Sequence, residues 1–76
     1  MNIEPGLIEV LKEVLHIDVV KTNEDEKFIN MDVWDSMTFM FFIMALENKF
    51  NITLSNEEIL EMDCITKTKE ILNRKF

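Results

Sequence analysis

Leu7, Ile8, Leu11, Val14 and Leu15 stand at i, i+1, i+4, i+7 and i+8, one apolar stripe that predicts a helix from about Glu4 to Leu15. Pro5 falls in its first turn, where a missing N–H costs nothing. From Asp18 to Asp35 the period is lost. Polar residues fill positions 21–27, and Val19, Val20, Phe28, Ile29, Met31, Val33 and Trp34 are the apolar anchors available to this loop. Structureless connections beyond about 12–15 residues are uncommon, so its length points to a functional role or to a short helical turn within it; a plain surface crossover is the alternative.

The helical period returns over Ser36–Phe50, where Phe39, Phe42, Ile43, Leu46 and Phe50 form the expected core stripe. Met37, Met40, Phe41 and Met44 lie on other faces, so Thr38 is the one polar residue between Met37 and Leu46. Either neighbours bury these side chains or they form a contact surface, for which unbranched, polarizable methionine is well suited. Beyond a turn at Asn51, Ser55 and Glu58 have capping-box spacing before a short helix ending near Met62. Asp63 or Thr66 can open a last helix with Ile65, Ile71 and Leu72 inward. The expected fold is all-α: four helices in a bundle, a long loop between the first two, and a short third helix.

At 76 residues the chain is one domain, 1–76, near the lower size limit for a single hydrophobic core. Cys64 is the only cysteine and His16 the only histidine, which excludes an intramolecular disulfide and a Cys/His zinc site. Glu24, Asp25 and Glu26 lack the alternating ligands, central Gly and closing Glu of a calcium loop, and no metal is expected. No apolar run approaches the roughly 20 residues of a membrane span, and the first residues do not read as a secretion signal, so a cytoplasmic location is expected. Residues 1–63 carry 14 acidic and 4 basic side chains, whereas residues 64–76 carry 1 and 4. An acidic body with a short basic tail disfavours nucleic acid and anionic lipid as partners.

Ser36 opens the second helix beside Asp35. The common meaning of Asp-Ser at such a place is a helix cap, with one side-chain oxygen accepting a free backbone N–H. A self-activated nucleophile is excluded, since His16 lies at the end of another helix and Asp35 is a weak base. Glu57 and Glu58 are adjacent, about 100° apart on a helix, and read as solvated charge. Trp34 is either a loop anchor buried over the bundle or a rim residue beside Ser36. Cys64 reads as a small core residue near the start of the last helix.

Taken together, Asp35-Ser36-Met37, the stretch Met44-Ala45-Leu46-Glu47-Asn48-Lys49-Phe50-Asn51-Ile52 and the entry Leu54-Ser55-Asn56-Glu57-Glu58 resemble the acyl carrier protein family. The resemblance covers most of the chain and is densest from Asp35 to Met62. It implies that a phosphopantetheinyl transferase moves 4'-phosphopantetheine from coenzyme A onto Ser36, and that acyl or aminoacyl groups then ride on the arm as thioesters. The implied partners are that transferase, a loading ligase and downstream acyltransferases or synthases. The chain itself would be a monomeric, non-catalytic carrier docking through Asp35, Met37, Met40, Phe41, Met44 and Glu47. The family often has acidic residues early in the second helix, where this chain has Thr38 and Phe41, and a Gly before Asp-Ser, where it has Asp32-Val33-Trp34. His16 likewise occupies a helix end where the family favours a residue tolerant of left-handed geometry. These departures favour a specialised acyl or secondary-metabolite route over housekeeping fatty acid biosynthesis. A helical interaction module without prosthetic group, using the methionine face, is the competing reading.

Overall fold

A computed structural model describes residues 2–32 and 34–76 and is all-helical over them. Its elements are α1 (Glu4–Leu15), a single 3-10 turn (Phe28–Asn30), α2 (Ser36–Phe50), α3 (Asn56–Glu61) and α4 (Ile65–Arg74). Val33, one of the expected loop anchors, lies outside the described residues.

Helix α1 begins where the Asn2 side chain accepts the Glu4 N–H at 3.1 Å. It stops at His16, which adopts left-handed φ 56°. Leu7, Val10, Leu11 and Leu15 are buried. Ile8, expected inside, is 39% exposed, and Val10 sits in the core instead. At about 100° per residue, Ile8 and Val10 stand about 80° to either side of the Leu7–Leu11 direction, so periodicity alone does not choose between them and the packing of the neighbouring elements does.

Helix α2 runs back along α1. Its C-terminal end meets the start of α1, where Gly6 leaves room for the Phe50 ring; a Cβ there would stand 2.9 Å from Phe50 Cζ. Lys49 and Glu9 form an ion pair at 3.0 Å along the same seam. Phe42, Ile43 and Leu46 are buried as expected, with Phe39 and Phe50 packed against the core from its edge. The helix ends at Asn51, again left-handed, a conformation asparagine tolerates better than most side chains.

Ser55 and Glu58 form the expected capping box, Ser55 Oγ accepting from the Glu58 N–H at 3.1 Å and Glu58 Oε1 from the Ser55 N–H at 2.9 Å. Helix α4 opens differently from the expectation: Cys64 is its N-cap, with Sγ accepting from the Lys67 N–H at 3.5 Å. Both expected openers face the long loop instead. The Asp63 carbonyl accepts the Phe28 N–H at 2.8 Å, and Thr66 gives its N–H to the Glu24 carbonyl at 3.0 Å and its hydroxyl to Asp25 at 2.6 Å. Cys64 is also buried, as expected. Thr68 is buried too, its hydroxyl donating to the Cys64 carbonyl at 2.9 Å.

The basic tail folds onto the acidic body. Lys69 bridges Glu4 of α1 at 3.0 Å and Glu24 of the loop at 2.7 Å. Arg74 reaches Glu61 at 3.1 Å and Lys75 reaches Glu58 at 2.8 Å, which fastens α3, a helix with no fully buried residue, to the end of α4. Ion pairs thus tie the periphery of the bundle together among the described residues.

Candidate functional site

The corner between the long loop and α2 is built from Trp34, Asp35 and Ser36. Trp34 is half-buried and stacks on Phe28 with centroids 6.2 Å apart and planes within 3°; its ring also lies 4.6 Å from Phe39. Phe28 meets Phe42 edge-on at 5.7 Å, so the corner is tied through three aromatic side chains to the bundle core. Trp34 therefore anchors the loop. It also lines a cavity, whose lining does not include Ser36.

Asp35 is extended, φ −153° and ψ 163°, and caps α2: its Oδ1 accepts the Thr38 N–H at 2.7 Å and its carbonyl accepts the Phe39 N–H at 3.0 Å. The Thr38 N–H, and after it the Thr38 side chain, hold the Asp35 carboxyl below the usual carboxylate range. Because the capping falls to Asp35, Ser36 is the first residue within the helix, and it is exposed. Among the described residues, no hydrogen-bond partner engages its hydroxyl. The hydroxyl stands at the positive end of a 15-residue helix, whose first turn contains no acidic residue.

Met37, Met40, Phe41 and Met44 are 69%, 51%, 54% and 58% exposed. On helical geometry they share an arc of about 100° opposite Phe42, Ile43 and Leu46. The structure thus brings four of the expected docking residues onto one outward face contiguous with Ser36. Glu47 has a different environment: half-buried, it accepts the Leu54 N–H at 2.9 Å and so secures the turn after α2. Lys49, the other charged residue of α2, pairs with Glu9. From Met37 to Met44 the outward face is apolar and uncharged, and the exposed Asn48 follows on the same arc.

A cavity of about 390 Å³ opens beside Trp34, lined also by Phe28, Phe39, Ile59 and Met62. Ile29 and Leu60 border it and are 68% and 82% exposed; neither was expected at the site. Adjacency to Ile59 gave no signal for this, since the neighbouring pairs Phe42–Ile43 and Ile71–Leu72 are both buried. A larger cavity of about 570 Å³, lined by Ile8, Lys12, His16, Ile17 and Val19, touches none of the residues of the Ser36 corner. No group of three or more potential metal ligands occurs among the described residues. No helix among them is long and apolar enough to cross a membrane.

Comparison with known proteins finds that residues 5–72 match the family described as phosphopantetheine attachment site. The chain is 32% identical to the acyl carrier protein of Buchnera aphidicola subsp. Acyrthosiphon pisum, over 97% of this chain and 92% of that one. It is 27% identical to the acyl carrier protein of Buchnera aphidicola subsp. Schizaphis graminum, over 97% and 94%. It is 26% identical to acyl carrier protein MbtL of Mycobacterium bovis, over 99% and 89%. No solved structure gives a significant match.

Proposed function

The chain belongs to the acyl carrier protein family of phosphopantetheine attachment domains, and on that premise we propose that residues 1–76 form one carrier domain modified on Ser36. Acyl carrier proteins are non-catalytic, and the prosthetic group is covalently attached 4'-phosphopantetheine. The observation that carries the assignment to Ser36 is the division of labour at the corner. Asp35 caps the helix, so the exposed Ser36 hydroxyl has no structural duty to give up when its oxygen becomes part of a phosphodiester. The positive helix end and the absence of acidic residues in the first turn of α2 fit an anionic phosphodiester there. Once attached, the group supplies a terminal thiol on a long arm, on which acyl cargo is held as a thioester.

The residues of this chain present the hydroxyl and leave its activation to the transferase. Asp35, already accepting the Thr38 N–H and held below its ordinary pKa, has little tendency to take the Ser36 proton. His16 is confined to the end of α1. The base must therefore come from the enzyme that delivers coenzyme A.

Docking of the transferase and of later acyl-handling enzymes falls to Met37, Met40, Phe41 and Met44, with Asp35 at their edge. Glu47 contributes by holding the turn that ends α2. This face offers apolar area without charge, which suits partners that recognise shape and apolar contact and favours a dedicated pathway over a carrier read by its acidic helix. The cavity beside Trp34 lies two residues from Ser36 in sequence, has the size of a small-molecule pocket and is mainly apolar, which favours acyl over aminoacyl cargo.

Intact mass after incubation with coenzyme A, magnesium and a broad-specificity phosphopantetheinyl transferase tests the assignment. The expected result is gain of one phosphopantetheine by the native chain and none by Ser36→Ala. A folded native chain left unmodified by several transferases would overturn it in favour of an interaction module that uses the exposed methionine face without a prosthetic group.

A further inference from the structure

Three of the six methionines, Met37, Met40 and Met44, stand more than half exposed on one face of α2, beginning at the residue after Ser36. Met62 is 1% exposed in the core and Met31 is half-buried against it. Leucine would give the same helix comparable apolar area. What methionine adds is a thioether sulfur that accepts oxygen and so changes from an apolar contact into a strong dipole. The one thiol of the chain, Cys64, is 6% exposed and already accepts the Lys67 N–H.

We propose that Met37, Met40 and Met44 form a reversible oxidation site that closes the carrier to its transferase. In each, a peroxide ROOH passes one oxygen to the thioether sulfur. The O–O bond breaks, the peroxide is reduced to ROH, and the sulfide is oxidised to a sulfoxide with no net gain or loss of protons by the protein. Three sulfoxides would turn an uncharged apolar face into a hydrated one while leaving the buried face of α2, with Phe42, Ile43 and Leu46, in place. The effect on modification rests on the reading of this face as the transferase docking surface.

The test treats the apo chain, whose single thiol is the buried Cys64, with hydrogen peroxide. Peptide mass mapping locates the added oxygen, circular dichroism follows helix content, and phosphopantetheine transfer from coenzyme A is measured at limiting carrier concentration. The expected result is oxygen on Met37, Met40 and Met44 before Met62 or Cys64, unchanged helix content, and transfer slowed roughly tenfold or more, as loss of an apolar contact face to sulfoxide requires. Methionine sulfoxide reductases restore the starting rate. The triple variant Met37→Leu, Met40→Leu, Met44→Leu, whatever its own starting rate, shows no further slowing on peroxide treatment.

Earlier oxidation of Met62 or Cys64, or full transfer to the triply oxidised chain, overturns the proposal. The triple Gln variant (Met37→Gln, Met40→Gln, Met44→Gln) separates it from the docking assignment. If that variant is slow while the sulfoxide form is fast, the docking face stands and the oxidation site falls. If the variant transfers at the native rate, the docking face lies elsewhere and both fall.

Discussion

The outer face of α2 and the junction of α3 with α4 are both surface regions of one small bundle, and they differ in what occupies their side chains. At the junction, Glu58 and Glu61 are paired with Lys75 and Arg74, and the capping box fills the helix start. On α2, Met37, Met40, Phe41 and Met44 face solvent, and the two charged residues of the helix are turned to other tasks. Charge at the junction holds two peripheral elements together, whereas the outer face of α2 leaves its apolar side chains in solvent. The difference teaches that an acidic net charge of −7 says little about the character of any one face.

The adjacent pair Phe41 and Phe42 breaks the comparison most directly, since one is 54% exposed and the other fully buried. Phe42→Ala should destabilise the fold by about 3–5 kcal/mol, enough to unfold much of the population of so small a domain. Phe41→Ala should stay within about 0.5 kcal/mol of the native chain in urea unfolding while slowing phosphopantetheine transfer. Equal destabilisation by the two would mean that the α2 face is part of the core.

A smaller effect separates the charged junctions from the uncharged face. Lys69→Met removes two ion pairs and should lower stability by about 1 kcal/mol, with the native chain losing a comparable part of that margin in roughly 1 M salt. Phosphopantetheine transfer to the proposed site, measured in the same salt series, should keep its KM within about twofold once the transferase's own salt response is subtracted. A steep salt dependence of KM would place charge at the docking surface after all.

Titration sharpens the same contrast. The Glu58 carboxyl is held low, chiefly by the Lys75 ammonium and next by the Ser55 N–H. Its stabilising contribution is therefore complete above the ordinary glutamate pKa, about 4.3, and is lost as pH falls through the lowered value. Glu58→Gln should lower thermal stability near neutrality and flatten the acid limb. The Lys69 ammonium is raised by Glu24 and then Glu4, so its contribution is complete below the ordinary lysine pKa, about 10.4, and is lost as pH rises through the raised value. The alkaline limb should flatten in Lys69→Met.

The smallest stability change is expected at Ser36, the proposed attachment residue. Ser36→Ala should shift unfolding by no more than about 0.5 kcal/mol, because its hydroxyl caps nothing. Asp35→Ala should lower the melting temperature measurably, and melting curves of the two variants side by side would test the assignment of the cap.

Much of this architecture was legible from residue order. The helix limits Glu4–Leu15 and Ser36–Phe50, the Ser55–Glu58 box and the turn at Asn51 all follow from local periodicity and capping chemistry. The start of α4 was not, because Asp63 and Thr66 are good local openers whose hydrogen bonds are taken by Phe28, Glu24 and Asp25 from a distant segment. Nor could sequence show which acidic residues receive the basic tail, since the Lys69 bridge depends on how the loop and two helices come together. At the candidate site, spacing identified the outward methionines, whereas the choice of Asp35 over Ser36 as cap required coordinates: either residue type can do it.

That choice bears on how such a chain can change over generations. With capping assigned to Asp35, position 36 carries no capping duty, and substitutions there that keep the helical backbone can be sampled in a protein that still assembles. A duplicate that lost its serine would retain its bundle and its outer methionine face, available for selection as a binding domain, and a later reversion at one codon would return the hydroxyl to an unchanged setting.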